Sequence, residues 1–183
     1  MLHLEDSVSE TLLIPLYMKH LASQMPNPVI HDEAATRLVR QLDYDFSKYD
    51  HIIHTVVGTA IRADYFDQLT ADFIHRHPTP VVVNVGCGLD SRRERIGAAA
   101  DGVPFYDIDL PDVIALRQKL LPAQRGETLL ATSAFDAGWM DELNRLHPNA
   151  QFLLVIEGVL MYFDRYTVRA LFCDLARRFH RSE

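Results

Sequence analysis

Cysteine is scarce in this chain: Cys87 and Cys173 are the only two among 183 residues. Two cysteines build no disulfide framework and match no zinc spacing, which points to a reducing compartment with the cytoplasm as the default. Positive charge is also in short supply. Eighteen Lys and Arg stand against 25 Asp and Glu, a net charge of -7, so a surface that tracks phosphates, and with it a nucleic-acid partner, is not expected. Two local basic clusters, Arg92, Arg93 and Arg95, and Arg177, Arg178 and Arg181, read as solvated helix faces. The N-terminal stretch carries Glu5, Asp6 and Glu10 rather than a basic leader, and Pro15 interrupts its apolar run. Neither a signal peptide nor a membrane span is expected. There is no internal repeat and no low-complexity segment. Nine histidines are present, but the spaced pairs His51/His54 and His75/His77 come with no third ligand at a recognisable distance, so no metal is expected.

What is there is an ordinary globular balance, 48% apolar and 23% charged residues, in a length suited to one compact domain. Residues 1–78 read as a helical N-terminal cap region. Ser7 to Glu10 has the form of a capping box, and Leu12, Leu13, Leu16 and Met18 follow it, with Pro15 expected to kink or restart the helix. Pro26 and Pro28 mark a turn. Ala34, Ala35, Leu38 and Val39 share one face of a helix over about 32–42, and a third helix is expected over about 50–77, stopped by Pro78. From residue 79 to 183 the rhythm changes. Apolar, β-branched runs at 81–85, 103–108, 128–131 and 152–156 alternate with helical patterns at 91–100, 111–120 and 139–146. A last helix over 166–181 has Asp164 as its N-cap. Such alternation predicts βαβ units, and so an α/β fold with a Rossmann-like, doubly wound parallel sheet.

The first strand ends in Gly86-Cys87-Gly88. Glycines there let the chain turn sharply into the next segment and let backbone approach a ligand with no side chain between. Asp109, just past the second strand, is placed to accept hydrogen bonds from ribose hydroxyls. A dinucleotide fingerprint requires a third glycine, at position 91, where this chain has Ser91. Asp90 beside the turn would also repel a pyrophosphate. Cys87 reads as a small buried filler, and Trp139 as a core or hinge residue.

Three segments then occur in order: Asn84-Val85-Gly86-Cys87-Gly88-Leu89-Asp90-Ser91-Arg92, Tyr106-Asp107-Ile108-Asp109-Leu110-Pro111 and Glu157-Gly158-Val159-Leu160-Met161-Tyr162. With the upstream stretches 10–16 and 62–67, this series resembles the leucine carboxyl methyltransferase family, in its bacterial branch of polyketide O-methyltransferase-like proteins. The resemblance implies S-adenosylmethionine as cofactor, with S-adenosylhomocysteine as product. By position it implies that Arg62 pairs with the methionine carboxylate, that Gly86 and Gly88 line the methionine portion, and that Asp109 holds the ribose, a task Asp107 could share. It further implies that Ser133 and Ala134 meet the adenine, where many relatives carry an Asp first, and that Glu157 meets the amino end. Lys19 is a further candidate for the carboxylate. No catalytic residue is nominated; Tyr162 and Glu157 are nearest by motif position, and Tyr162 also reads as rim packing.

The function implied is methyl transfer to a hydroxyl or carboxyl oxygen of a small-molecule acceptor. The alternative is a non-catalytic or truncated cofactor-binding remnant that interacts with another chain. The family sheet continues beyond the fourth strand, so the chain reads as truncated after that strand and its helix. The fourth strand is then expected to be an exposed sheet edge, with pairing to a second copy as one way to cover it.

Overall fold

The computed structural model describes residues 7–183, with side chains from residue 11 onward. The Ser7/Glu10 capping box lies outside the described side chains. Packing divides the chain into two compact units, which do not follow chain order: residues up to Leu69 together with Leu89–Gly97, and Thr70–Gly88 together with Ala98–Glu183.

The first unit is helical. It contains α1 (Ser7–Ser23), α2 (Glu33–Gln41), a tight 3-10 stretch (Phe46–Thr55), α3 (Val56–Arg76) as far as Leu69, and α4 (Arg92–Ile96). α1 continues through Pro15 as one helix and does not restart there. A proline inside a helix costs about 3 kcal/mol. Leu13, Leu16, Met18 and Ala22 are buried along the same helix, and at roughly 1.5–3 kcal/mol per large apolar side chain that burial outweighs the lost backbone bond. α2 falls where the periodicity placed it. Asp32 caps it by accepting from the Ala35 amide at 2.7 Å, and Ala34, Ala35 and Leu38 are buried. The single helix expected over about 50–77 is two elements. The 3-10 stretch is capped by Asp45, whose side chain accepts from the Ser47 amide, and Ile52 leaves helical geometry (φ -108°, ψ 16°) before α3 begins.

The second unit holds a four-stranded, all-parallel sheet in the order β3-β2-β1-β4. Its strands are β1 (Pro80–Val85), β2 (Phe105–Asp109), β3 (Glu127–Ala131) and β4 (Gln151–Val155); α5 (Pro111–Leu120), α6 (Ala137–Leu146) and α7 (Arg165–Arg178) accompany them. Parallel strands covered on both faces read as continuous apolar runs, and β1 is buried from Val81 to Val85. Val81, Val83, Val85 and Ile108 pack with Trp139, Met140 and Leu143 of α6 and with Leu171, Leu175 and Phe179. Trp139 stacks on Phe179 with ring centroids 5.9 Å apart, the core role expected of it. Side chains alternate along a strand, so Asn84, Asp107 and Asp109 share the opposite face, where α5 packs on β2 and β3. Asp164 caps α7 as expected, accepting from the Tyr166 and Thr167 amides.

The outer edge of β4 is not bare, which corrects the expectation of an exposed edge. The Phe152 amide donates to the Arg181 carbonyl (2.9 Å), the Glu183 amide donates to the Phe152 carbonyl (3.0 Å), and the Leu154 amide donates to the Glu183 carbonyl (3.0 Å). Residues 181–183 thus run parallel to β4. The Glu183 carboxylate is held by Arg76 at 2.9 Å and by His77 at 3.2 Å. Those bonds occupy backbone groups of β4 that a bare edge would leave open. Among the described residues, no helix is long and apolar enough to cross a membrane.

Candidate functional site

Every strand of a parallel sheet ends on the same side, and ligands of open α/β sheets bind beyond those carboxyl ends, where strand order reverses. Here the reversal falls at β1, flanked by β2 on one side and β4 on the other. Gly86 and Gly88 follow β1, Asp109 ends β2, Ser133 and Ala134 follow β3, and Glu157 follows β4. Of the seven residues to which the resemblance assigns a cofactor contact outright, six are therefore brought to one end of one sheet. The seventh, Arg62, is exposed on α3 in the first unit.

The turn after β1 is built from backbone. The Gly86 and Cys87 amides both donate to the Ile108 carbonyl, at 2.8 and 3.1 Å, which latches the turn to the end of β2. Gly86 (φ +71°) and Gly88 (φ +50°) are both in the left-handed region, which is strained for any residue with a Cβ. Gly86 is confined further by the loop after β4, because a Cβ there would stand 2.3 Å from Val159 Cγ2. Cys87 between them is buried, as expected of a filler.

Asp109 closes the other side of the turn. Its Oδ2 accepts from the Gly88 amide at 2.8 Å and its Oδ1 from the Leu110 amide at 2.8 Å. Burial raises its carboxyl above the usual range, while those two amides pull the other way. A carboxylate offers about four acceptor positions, so two backbone donors leave room for two more. Ser133 turns its Oγ to the Phe135 amide (3.2 Å).

Asp107 does not share Asp109's position. It is 1% exposed, with its carboxylate between the Asn84 amide group (2.6 Å) and the Arg117 guanidinium (2.6 Å). Burial, together with the neighbouring Glu127 carboxylate, pushes it up to about 7 against the pull of Arg117. It braces β1, β2 and α5 from inside. Arg117 itself was missed by the sequence reading. Its position on α5 looks like any basic residue in the last turn of a helix, and only the register between β1 and β2, which sets Asn84 opposite Asp107, reveals the cluster.

The first unit contains its own ionic cluster. Arg92 and Arg95, expected on a solvated face, have side chains only 3% and 4% exposed. Arg95 donates to Asp67 (2.6 Å), Asp32 (2.9 Å) and Asp90 (2.9 Å), and Arg92 donates to Asp67 (3.1 Å). Buried acids with fixed positions recruit these guanidiniums inward, which exposed-helix reasoning could not foresee. Lys19, also buried, bonds Asp90 and lies 3.8 Å from Asp32. Burial alone would raise the Asp90 carboxyl, but Arg95, Lys19 and Arg92 hold it well below its usual range. Asp90 is thus a neutralised anion. Ser91, where a dinucleotide fingerprint has its third glycine, donates its hydroxyl to Asp32 at 2.8 Å.

Comparison with known proteins gives a consistent result. Residues 13–176 match the family model described as leucine carboxyl methyltransferase. The chain is similar to the tetracenomycin polyketide synthesis O-methyltransferase TcmP of Streptomyces glaucescens, 37% identical over 155 residues that cover 85% of this chain and 56% of that protein. It is also similar to the S-adenosyl-L-methionine-dependent methyltransferase dpfgK of Gibberella zeae, 31% identical over 186 aligned positions covering 94% of this chain and 62% of that protein. The chain thus spans between 56% and 62% of the length of these two relatives.

Proposed function

The chain belongs to the leucine carboxyl methyltransferase family, and from that premise we propose that it is an S-adenosylmethionine-dependent O-methyltransferase acting on a hydroxyl or carboxyl oxygen of a small molecule. The observation that carries this reading is the pairing of Gly88 with Asp109. A glycine turn in the left-handed region faces a half-buried carboxylate whose two backbone donors leave acceptor positions over. Those acceptor positions suit a cofactor with ribose hydroxyls and no phosphate. Asp109 and Glu157 put acids at the ends of β2 and β4, which suits hydroxyl, ammonium and sulfonium groups and disfavours a pyrophosphate.

In this reading Asp109 holds the ribose, Gly86 and Gly88 give the methionine portion close access to backbone, Ser133 and Ala134 meet the adenine, and Glu157 meets the amino end. Arg62 on α3 is the family-implied partner of the carboxylate, a contact suited to a bidentate guanidinium. The cofactor, when bound, supplies a methyl group on a sulfonium, an excellent leaving group. The chain's own residues then have chiefly to position it in line with the acceptor oxygen. A carboxylate acceptor needs no base, whereas a hydroxyl gains from one within hydrogen-bond reach; no residue is assigned that role.

Calorimetric titration of the purified chain with S-adenosylhomocysteine tests the reading. Saturable binding is expected, and no heat at high micromolar ligand overturns it. Binding without methyl transfer to a panel of phenols and carboxylic acids would leave a cofactor-binding protein without the transferase activity.

A further inference from the structure

The Gly88 residue is held from both sides. Its amide donates to Asp109 Oδ2 at 2.8 Å, and its carbonyl accepts from Arg117 Nη1 at 3.1 Å. We propose that Arg117 is a positioning residue: by gripping the Gly88 carbonyl it fixes the turn that presents the Gly88 backbone and Asp109 to the cofactor. The role rests on the methyltransferase reading above.

The grip is built from four elements. Asn84 on β1 donates to Asp107 Oδ1 on β2 (2.6 Å), leaving Asp107 Oδ2 for Arg117 Nη2 (2.6 Å). Glu127 on β3 takes a second bond from the same nitrogen (3.2 Å), and Arg117 on α5 carries the restraint to the turn. Asn84, Asp107 and Arg117 are each less than a tenth exposed. Only a guanidinium fits this role, because it alone reaches acceptors on three elements with donors in a fixed plane; an ammonium is a point charge on a flexible stem. A buried ionic cluster is an inefficient way to stabilise a fold, since apolar residues of similar volume often serve as well. This one nevertheless reaches Gly88, whose amide and carbonyl are both held. With φ at +50°, Gly88 has few intrinsic restraints of its own, because glycine populates both signs of φ readily. The external grip supplies what the residue lacks.

Two variants test the inference. Arg117→Lys keeps the charge and loses the fork. Arg117→Met combined with Asp107→Asn and Glu127→Gln removes the buried charges together, so that no unpaired carboxylate confounds the result. Both are measured well below their unfolding midpoints, by hydrogen–deuterium exchange across residues 86–89 and by calorimetric titration with S-adenosylhomocysteine. The expected result is faster exchange confined to the turn, with α7 as protected as in the unaltered chain. Affinity should fall about tenfold, the loss of one charge-assisted hydrogen bond's worth of positioning. Affinity and exchange both within about twofold of the unaltered chain in either folded variant overturn the role, as does faster exchange with undiminished affinity. If the unaltered chain binds no S-adenosylhomocysteine, the cofactor reading fails, and with it any role in affinity; the exchange arm then decides by itself whether Arg117 holds the turn.

Discussion

Gly86 lies directly under Val159, with the space a Cβ would need already taken by Val159 Cγ2 at 2.3 Å. The turn after β1 and the loop after β4 are thereby packed against each other through a position that has both a positive φ and no room. Gly86→Ala should destabilise the protein by on the order of 3 kcal/mol, combining the left-handed penalty with overpacking. Adding Val159→Ala should recover part of this, because it relieves the clash and not the dihedral. Urea denaturation of Gly86→Ala, Val159→Ala and the double variant measures it, and no recovery in the double variant would show that the dihedral carries the whole cost.

Asp109 is expected to matter for binding more than for folding. Asp109→Asn keeps an acceptor for the turn but loses the charge and half the acceptor capacity. Affinity for S-adenosylhomocysteine should fall by about 1–3 kcal/mol, the worth of hydrogen bonds to a charged group. Unchanged affinity by calorimetry removes Asp109 from the site.

The Asp107 carboxyl gives a pH signature. It faces Asn84, Arg117 and Glu127, and burial pushes it up to about 7, so the folded protein keeps a proton that the unfolded chain has already lost above about pH 4. The folded state binds more protons over that interval, and stability therefore falls as pH rises towards and through 7. Glu127, whose burial is outweighed by its bonds to Asp107, Gln124 and Arg117, lies below its usual range and acts at more acidic pH with the opposite slope. Between pH 6 and 8 the contribution of Asp107 is about 1 kcal/mol. Asp107→Asn mimics the protonated acid and should lack it. Burial also lowers His20 and His147, which makes stability rise with pH through their range. Because both proteins share these histidines, the difference between their thermal midpoints isolates Asp107. Parallel profiles would sink the assignment.

The ionic cluster of the first unit separates two kinds of arginine. Arg95→Met leaves Asp32, Asp67 and Asp90 short of a buried cation and should cost about 3–5 kcal/mol. Arg177, exposed and 3.9 Å from Asp174, should cost less than about 0.5 kcal/mol on replacement by Ala. Chemical denaturation distinguishes the two, and equal effects would return Arg95 to the solvated role its sequence suggested.

Much of the second unit was legible in the sequence. The strands at 81–85 and 152–156, the glycine turn, the cap at Asp164 and the acid at 109 are local signals. β-branched runs, a residue able to take positive φ and a short acceptor before a helix each act within a few residues. The limits of helices were less legible. α1 passes through Pro15 because partners distant in sequence bury its other face, and the stretch before α3 breaks helical geometry at Ile52 for reasons the periodicity does not carry.

By itself, the sequence determined the alternation of strand and helix, the position of the glycine turn after β1 and the family, because each depends on residue type and order. Only the tertiary structure decided that Arg92 and Arg95 are buried, that Asp107 braces while Asp109 faces outward, that β4 is covered by residues 181–183, and that the Gly88 turn is gripped by Arg117. Each of those depends on which side chains meet across long stretches of chain. A charge has no fixed role until its partner, its burial and its solvent are known. The turn identified from two glycines is therefore half local chemistry and half a structure imposed from β1, β2, β3 and α5 together.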